Sequence, residues 1–355
     1  MIAETVFAGR LPVWDADADE TLVCTAVRDE TADVKTFFFA SPEPRRFAYL
    51  PGQFLTFDFN IGGAVVNRCY TIASAPTRPH SVSITVKKKP GGAVSPWLHE
   101  TMRPGVSVKA AGPLGVFSFT RHPARKYLFM SGGSGITPAM SMTRAHYDLG
   151  DDSDILFVHF ARAPADIIFR RELELMSAQL PNLRVVHVCE ADSPGEAWGG
   201  FRGRISSPLL QQIAPDLAER VMFNCGPAPF MAATRGALAT LGFAMAQYHE
   251  ESFDFGALTE PAPAPAAGAQ FNVEFSKTRR SITVAAGQHI LDAARAEGMR
   301  LPSSCTKGMC GTCKSKLLSG QVEMHHQGGI RAREIDAGMI LLCCSRPLTD
   351  LVIER

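Results

Sequence analysis

Four cysteines near the end of the chain, Cys305, Cys310, Cys313 and Cys343, follow the spacing C-x₄-C-x₂-C with the fourth well downstream. Thiolates so spaced suit a [2Fe–2S] cluster, in which each iron takes two sulfurs and electrons move singly. Gly308 and Gly311 in the loop permit sharp turns and let backbone N–H groups approach the sulfurs. Zinc is the weaker reading, because a structural zinc site usually draws on two close ligand pairs and only one C-x₂-C pair is present. A disulfide framework needs an oxidising compartment. The N-terminal residues have no apolar signal core, and no run approaches the ~18 apolar residues of a membrane span. The expectation is a soluble, cytoplasmic protein with no membrane association. Among 355 residues, 36 Lys/Arg balance 35 Asp/Glu, so nothing suggests a nucleic-acid partner.

Residues 256–269 alternate proline and alanine, a tether without a core of its own. Beyond it, Phe271–Phe275 and Ser281–Val284 alternate like a hairpin about Lys277–Arg280, and His289–Met299 carries apolar residues at helical spacing. With a final strand near Leu351–Ile353, residues 270–355 read as an α+β module of β-grasp type around the cysteine loop. Before the tether the pattern changes twice. Residues 1–20 form an extension, and 21–122 hold β-branched and aromatic runs broken by Pro-Gly and Gly-Gly, as in an antiparallel β-barrel. Residues 123–255 alternate strands (Tyr127–Met130, Ile155–Phe160, Arg184–Val188, Val221–Asn224) with helical stretches, as in a parallel α/β sheet.

Arg68-Cys69-Tyr70-Thr71 follows the strand Phe54–Phe59 and resembles the R-x-Y-[ST] flavin motif of the ferredoxin–NAD(P)+ reductase superfamily. The resemblance implies that Arg68 neutralises a flavin phosphate, that Tyr70 lies on the isoalloxazine and that Thr71 hydrogen-bonds near flavin N5. Gly91, Gly92, Val94 and Ser95 resemble that family's G-x-x-S segment, where amides opening a helix hold a pyrophosphate, which favours FAD over FMN. The cysteine spacing resembles plant-type ferredoxins, whose last ligand typically lies four residues before a proline. Pro347 then selects Cys343, with the adjacent Cys344 as the alternative.

Gly132, Gly133, Ser134, Gly135, Thr137 and Pro138 belong to a loop that leaves a strand and opens a helix, where glycines allow close approach to a phosphate. A lone glycine-rich loop is weak evidence of a nucleotide site; its position and its likeness to the family's G-G-x-G-I-T-P strengthen it. Cys225, Gly226 and Pro227 resemble the C-G-P motif, which places Cys225 beside the nicotinamide C4 without making it a nucleophile. Glu251 and Phe253 resemble the E-x-F ending, in which Phe253 shields the flavin until nicotinamide displaces it. NADPH needs basic residues for its 2′-phosphate. Arg162 is available, but Ala161 departs from the Ser/Thr-Arg pair common in NADPH reductases, so NADH is expected with NADPH possible.

The order barrel, nucleotide domain, iron–sulfur module resembles reductase components of quaternary-amine (glycine betaine, stachydrine) Rieske monooxygenases. It also resembles reductases of hybrid-cluster proteins and of phenylacetyl-CoA epoxidase. The expected activity is electron transfer from NADH through FAD and a [2Fe–2S] cluster to a terminal Rieske-type oxygenase. The alternatives are another terminal acceptor, such as a hybrid-cluster protein, or a redox-sensing protein that binds the same groups. The last module carries twelve Lys/Arg against eight Asp/Glu, and Lys307, Lys314 and Lys316 are expected to meet an acidic patch on the acceptor.

Overall fold

The computed structural model describes residues 11–15, 20–253, 269–299, 301, 306, 308, 311, 313–326 and 329–355. Contacts divide the chain into two compact units, the first holding most residues up to Phe253 and the second the described residues from 269 onward together with Asn67–Cys69.

The first unit opens with an antiparallel sheet of β1 (Glu20–Thr31), β2 (Val34–Ala40), β3 (Phe54–Ile61), β4 (Ala64–Thr71), β5 (Val82–Lys87) and β6 (Ser107–Leu114). Their order is β4-β3-β6-β1-β2-β5, and an Ile72–Ile84 bridge joins the two edges, closing the barrel. Phe37, Phe39, Phe57 and Phe59 alternate inward and are fully buried, which is why these strands hold their register. Between β5 and β6 lies α1 (Val94–Thr101), which buries Val94 and Leu98, four residues apart on one face.

The second half of this unit is a parallel sheet: β7 (Lys126–Gly132), β8 (Asp154–Ala161), β9 (Leu183–Cys189), β10 (Phe201–Arg202), β11 (Val221–Gly226) and β12 (Tyr248–Ser252). Helices α2 (Ile136–Leu149), α3 (Arg170–Gln179), α4 (Ser207–Ile213) and α5 (Ala228–Thr240) connect the strands. Both faces are covered. Leu128, Met130, Leu156, Val158 and Met222 point into one core, while Tyr127, Phe129, Ile155, Phe157 and Phe223 point into another. That second core also takes in Val34, Ala73 and Phe117 from the barrel half. The strand order β10-β9-β8-β7-β11-β12 reverses direction between β7 and β11. Ligands of open α/β sheets bind at such a switch point, beyond the carboxyl ends of the strands.

The second unit has a five-stranded sheet, β14-β13-β19-β15-β17, built from β13 (Gln270–Phe275), β14 (Arg280–Ala285), β15 (Lys314–Ser319), β17 (Met339–Leu341) and β19 (Leu351–Glu354). A two-stranded ribbon pairs β16 (Val322–Met324) with β18 (Ser345–Pro347), and α6 (Ile290–Ala296) and α7 (Ala332–Asp336) complete the unit. Ile290, Leu291 and Ala294 of α6 pack on Val273, Phe275 and Ile353. The helix is shorter than the apolar spacing suggested: it ends at Ala296, and Gly298 takes a φ of 71° that stops its continuation. Apart from Ala269, the Pro/Ala tether lies outside the described residues, as does most of the N-terminal extension.

Candidate functional site

The carboxyl ends of β7 and β11 bring two loops together at the switch point. Cys225 pairs with Ser131 in register, and the loop Gly132–Gly135 rests on the loop Cys225–Pro227. The packing leaves no room for side chains. A Cβ on Gly135 would collide with the Cys225 carbonyl oxygen, and one on Gly226 would lie 2.5 Å from the Phe230 ring, which also covers Gly132. Gly133 differs: its φ is 53°, and a Cβ there would meet nothing within 4 Å. Its backbone is therefore the part of the loop open to a phosphate. Thr137 donates to the Ser134 carbonyl at 3.3 Å and Pro138 sits in the first turn of α2, so the loop runs directly into the helix.

Cys225 itself is buried, and burial, followed by the negative charges of Glu251 and Glu250, pushes its thiol well above the ordinary value. A neutral thiol fits a residue that shapes a path for hydride and takes no covalent part. Glu251 is the register partner of Cys225 on β12, and Phe253, just past that strand, packs on the core that contains Cys225, Ile136 and Ala73. Arg162, beyond β8, is drawn to Asp166 at 3.1 Å and to the barrel's Asp33 at 3.5 Å, so its charge is already shared between two carboxylates.

On the barrel, Arg68 and Tyr70 alternate to one side of β4, while Thr71 points to the other. Tyr70 meets Phe57 and Phe59 edge-on, at 6.1 and 6.2 Å. Thr71 Oγ1 is buried and finds no hydrogen-bond partner among the described residues. An orphaned hydroxyl costs about 1–3 kcal/mol unless a ligand atom completes it, which fits a flavin edge at this point. Around the proposed pyrophosphate loop, Gly91 has a φ of 72° and no side chain caps α1, so its first-turn amides are available to an anion. Val94 anchors that turn in the core, and Ser95 Oγ accepts the Lys89 amide at 3.0 Å, which holds the loop closed while leaving the hydroxyl proton free to donate.

In the second unit, Cys313 and Cys343 are buried, and the Gly308 amide donates to Cys343 Sγ at 3.2 Å. An N–H aimed at sulfur favours the thiolate that an iron ligand must be. Cys344 instead directs its Sγ to the Leu341 carbonyl at 3.7 Å, as a thiol does. Gly308 and Gly311 both take a φ of 71°; a Cβ on Gly308 would lie 2.8 Å from Cys344 Sγ, and one on Gly311 2.8 Å from the Gly329 carbonyl oxygen. Cys305, Cys310 and Lys307 lie outside the described residues. Of the basic residues expected at an acceptor surface, Lys314 is bound to Glu334 at 2.6 Å, while Lys316 is exposed.

Two arrangements were not read from the sequence: a register row that joins the expected Glu251 and Cys225 to Ser131, His159 and His187, and a polar face of α2. Glu251, Cys225, Ser131, His159 and His187 are successive register partners across β12, β11, β7, β8 and β9, and so share one side of the sheet. His159 is fully buried, with Nδ1 2.9 Å from Ser131 Oγ and Nε2 unpartnered among the described residues. Burial, then the charges of His187 and Lys87, push its pKa down to about 3. The second group is Ser141, Arg144 and Asp148 on α2. A signal was present, because Arg144 is the one Lys or Arg in that helix.

Three family models match in series: an oxidoreductase FAD-binding domain at residues 22–119, an oxidoreductase NAD-binding domain at 129–236 and a 2Fe-2S iron-sulfur cluster binding domain at 273–348. The matches and the geometry define a flavin- and nicotinamide-dependent oxidoreductase joined to an iron–sulfur module. The glycine betaine monooxygenase reductase subunit of Pseudomonas aeruginosa is 43% identical over 343 residues, 93% of this chain and 94% of that one. The stachydrine N-demethylase reductase subunit of Rhizobium meliloti is 40% identical over 353 residues, 97% of this chain and 98% of that one. The FAD/NAD-binding domain of nitric oxide dioxygenase from Vibrio cholerae superposes with a TM-score of 0.60 at 22% identity, covering 66% of this chain and 99% of that one, a likeness of fold. The chain belongs to the ferredoxin–NAD(P)+ reductase superfamily, among members with a C-terminal [2Fe–2S] domain. No helix among the described residues is long and apolar enough to cross a membrane.

Proposed function

We propose that this chain is the NADH-dependent reductase component of a Rieske-type monooxygenase that N-demethylates a quaternary amine of the glycine betaine or stachydrine class. The observation that carries this reading is the near full-length similarity to two reductase subunits so named, 43% and 40% identical, together with a switch-point crevice lined by the expected residues. Bound FAD and a [2Fe–2S] cluster supply the conversion of a hydride into single electrons. The chain's own residues do the rest. Arg68, Gly91, Gly92, Val94 and Ser95 hold the flavin's phosphates, Tyr70 supports its ring, and Thr71 donates at the ring edge where hydride arrives.

Gly133 and the first turn of α2 receive the dinucleotide phosphates, and Cys225 borders the nicotinamide as a neutral thiol. Phe253 covers the flavin face until the nicotinamide takes its place, and burial, reinforced by Glu251, keeps Cys225 protonated. Cys305, Cys310, Cys313 and Cys343 hold the cluster. With Arg162 already paired to Asp33 and Asp166, the crevice offers little to a 2′-phosphate there, which supports NADH as the donor.

The test is NADH oxidation by the loaded protein mixed with a Rieske oxygenase and glycine betaine, stachydrine or carnitine, with formaldehyde as the product assayed. Substrate-dependent NADH oxidation with matching formaldehyde is the expected result. Turnover only with a hybrid-cluster protein under anaerobic conditions would replace the acceptor.

A further inference from the structure

Helix α2 starts at the glycine loop of the nicotinamide site and runs back against the barrel. Ser141, Arg144 and Asp148 are spaced i, i+3, i+7 and so share one face. Each reaches the barrel segment that follows Thr71. Ser141 donates to the Ser74 carbonyl at 2.7 Å, Arg144 donates to the Ala73 carbonyl at 2.6 Å, and Asp148 accepts from Thr77 at 2.5 Å and from Arg78 at 2.7 and 3.0 Å. The same segment is pinned from the barrel side. The Ala73 amide donates to Ser83, and Ser74 Oγ lies 3.1 Å from the Tyr49 hydroxyl.

Arg144 is the centre of this seam. It is buried, its guanidinium makes two 2.7 Å hydrogen bonds to Glu172, and it lies 4.7 Å over the ring of Phe169. Phe169 takes a φ of 58°, a conformation that a bulky side chain avoids unless its surroundings hold it. A buried, paired charge is seldom the most stabilising filling of such a space; a packed apolar side chain does as well or better. What the charge adds is a fixed geometry: three groups, the Glu172 carboxylate, the Phe169 ring and the Ala73 carbonyl, converge on one guanidinium, and Ala73 lies two residues beyond Thr71.

We propose that Arg144 is a positioning residue for hydride transfer, setting through Ala73 the separation between the Thr71 segment and the Gly132–Gly135 loop, and that Ser141 assists it. The inference rests on the hydride-transfer reading of those two segments. Arg144 touches neither cofactor's reacting atoms in this scheme; it acts through the backbone.

The test uses the protein loaded with FAD and cluster, and follows flavin bleaching by NADH and by NADH deuterated at C4. Arg144→Met should slow bleaching per bound FAD by about ten- to a hundredfold, as a displacement of order 1 Å does, and raise the primary isotope effect. Hydrogen exchange in the segment 71–78 should quicken in the same variant, while dithionite brings flavin and cluster to the wild-type end-points. Ser141→Ala, which loses one hydrogen bond, should move rate and exchange in the same sense by about threefold. An unchanged rate and isotope effect in Arg144→Met overturns the proposal. If that variant does not fold, Ser141→Ala decides, and unchanged bleaching and exchange overturn it. A wild-type protein that NADH does not bleach overturns the hydride reading itself.

Discussion

Cys225 and Cys343 are both buried sulfurs, and their surroundings push them to opposite chemistries. Around Cys225 stand carboxylates and an apolar core, so the proton stays on. Cys343 lies under the Gly308 amide, which stabilises negative charge on sulfur. Burial is common to both sites and is the main cause of the raised Cys225 thiol, which the nearby carboxylates reinforce; at Cys343 an amide dipole works against it. The two buried sulfurs are therefore disposed differently, one to stay protonated and the other toward the thiolate.

The sharpest way to break this contrast is at the cluster. Cys343→Ala should abolish the cluster's visible and paramagnetic signals and cut electron delivery to the acceptor to background, while NADH still bleaches the flavin. Cys344→Ala should keep the signals. The opposite pattern would assign the ligand to Cys344.

Acid probes the other side. His159 and His187, in the same register row as Cys225, are held to about 3 and about 4, mainly by burial. Both lie below the ordinary 6.5, so the unfolded chain takes up protons first as pH falls. The stability they confer is whole above pH 6.5 and is lost progressively toward pH 4, on the order of a few kcal/mol. Melting at pH 7.5 and at pH 5 checks this, and His159→Gln should flatten the slope. A melting temperature that does not fall between those values contradicts the assignment.

Alkylation gives a smaller effect. At pH 8 Cys225 should react with iodoacetamide at least about a hundredfold more slowly than a free thiol, as expected of a protonated and buried one. Glu251→Gln removes a negative charge that raises the thiol's pKa, so alkylation should quicken by a few-fold. Mass spectrometry of the Cys225 peptide reads both.

Much of the frame was legible locally. Alternation at Phe54–Phe59 and the hydrophobic run Ile155–Phe160 mark strands because their side chains obey a period of two or fill a doubly covered sheet. The glycine loop announced itself by composition, although Gly135 turns out to be required by the Cys225 carbonyl and Gly132 is pressed by the Phe230 ring, contacts from far along the chain. The row from Glu251 to His187 exists only once five strands are in register, and no local pattern encodes register between distant strands. The α2 seam was hidden for the same reason. Arg144 is visible as an odd charge in an apolar helix, but its partners Ala73 and Glu172 lie far off in both directions along the chain.

The interlock of Gly135 with the Cys225 carbonyl also bears on how this protein can be re-engineered. A library that randomises the crevice to change its nucleotide preference has fixed points at Gly135 and Gly226, where any codon other than glycine gives a broken crevice and no information about selectivity. The usable diversity lies on the rim, at Arg162 and Asp166, where side chains meet solvent or exchangeable salt bridges. Variants should be drawn there, leaving the two interlocked loops as the invariant hinge of the design.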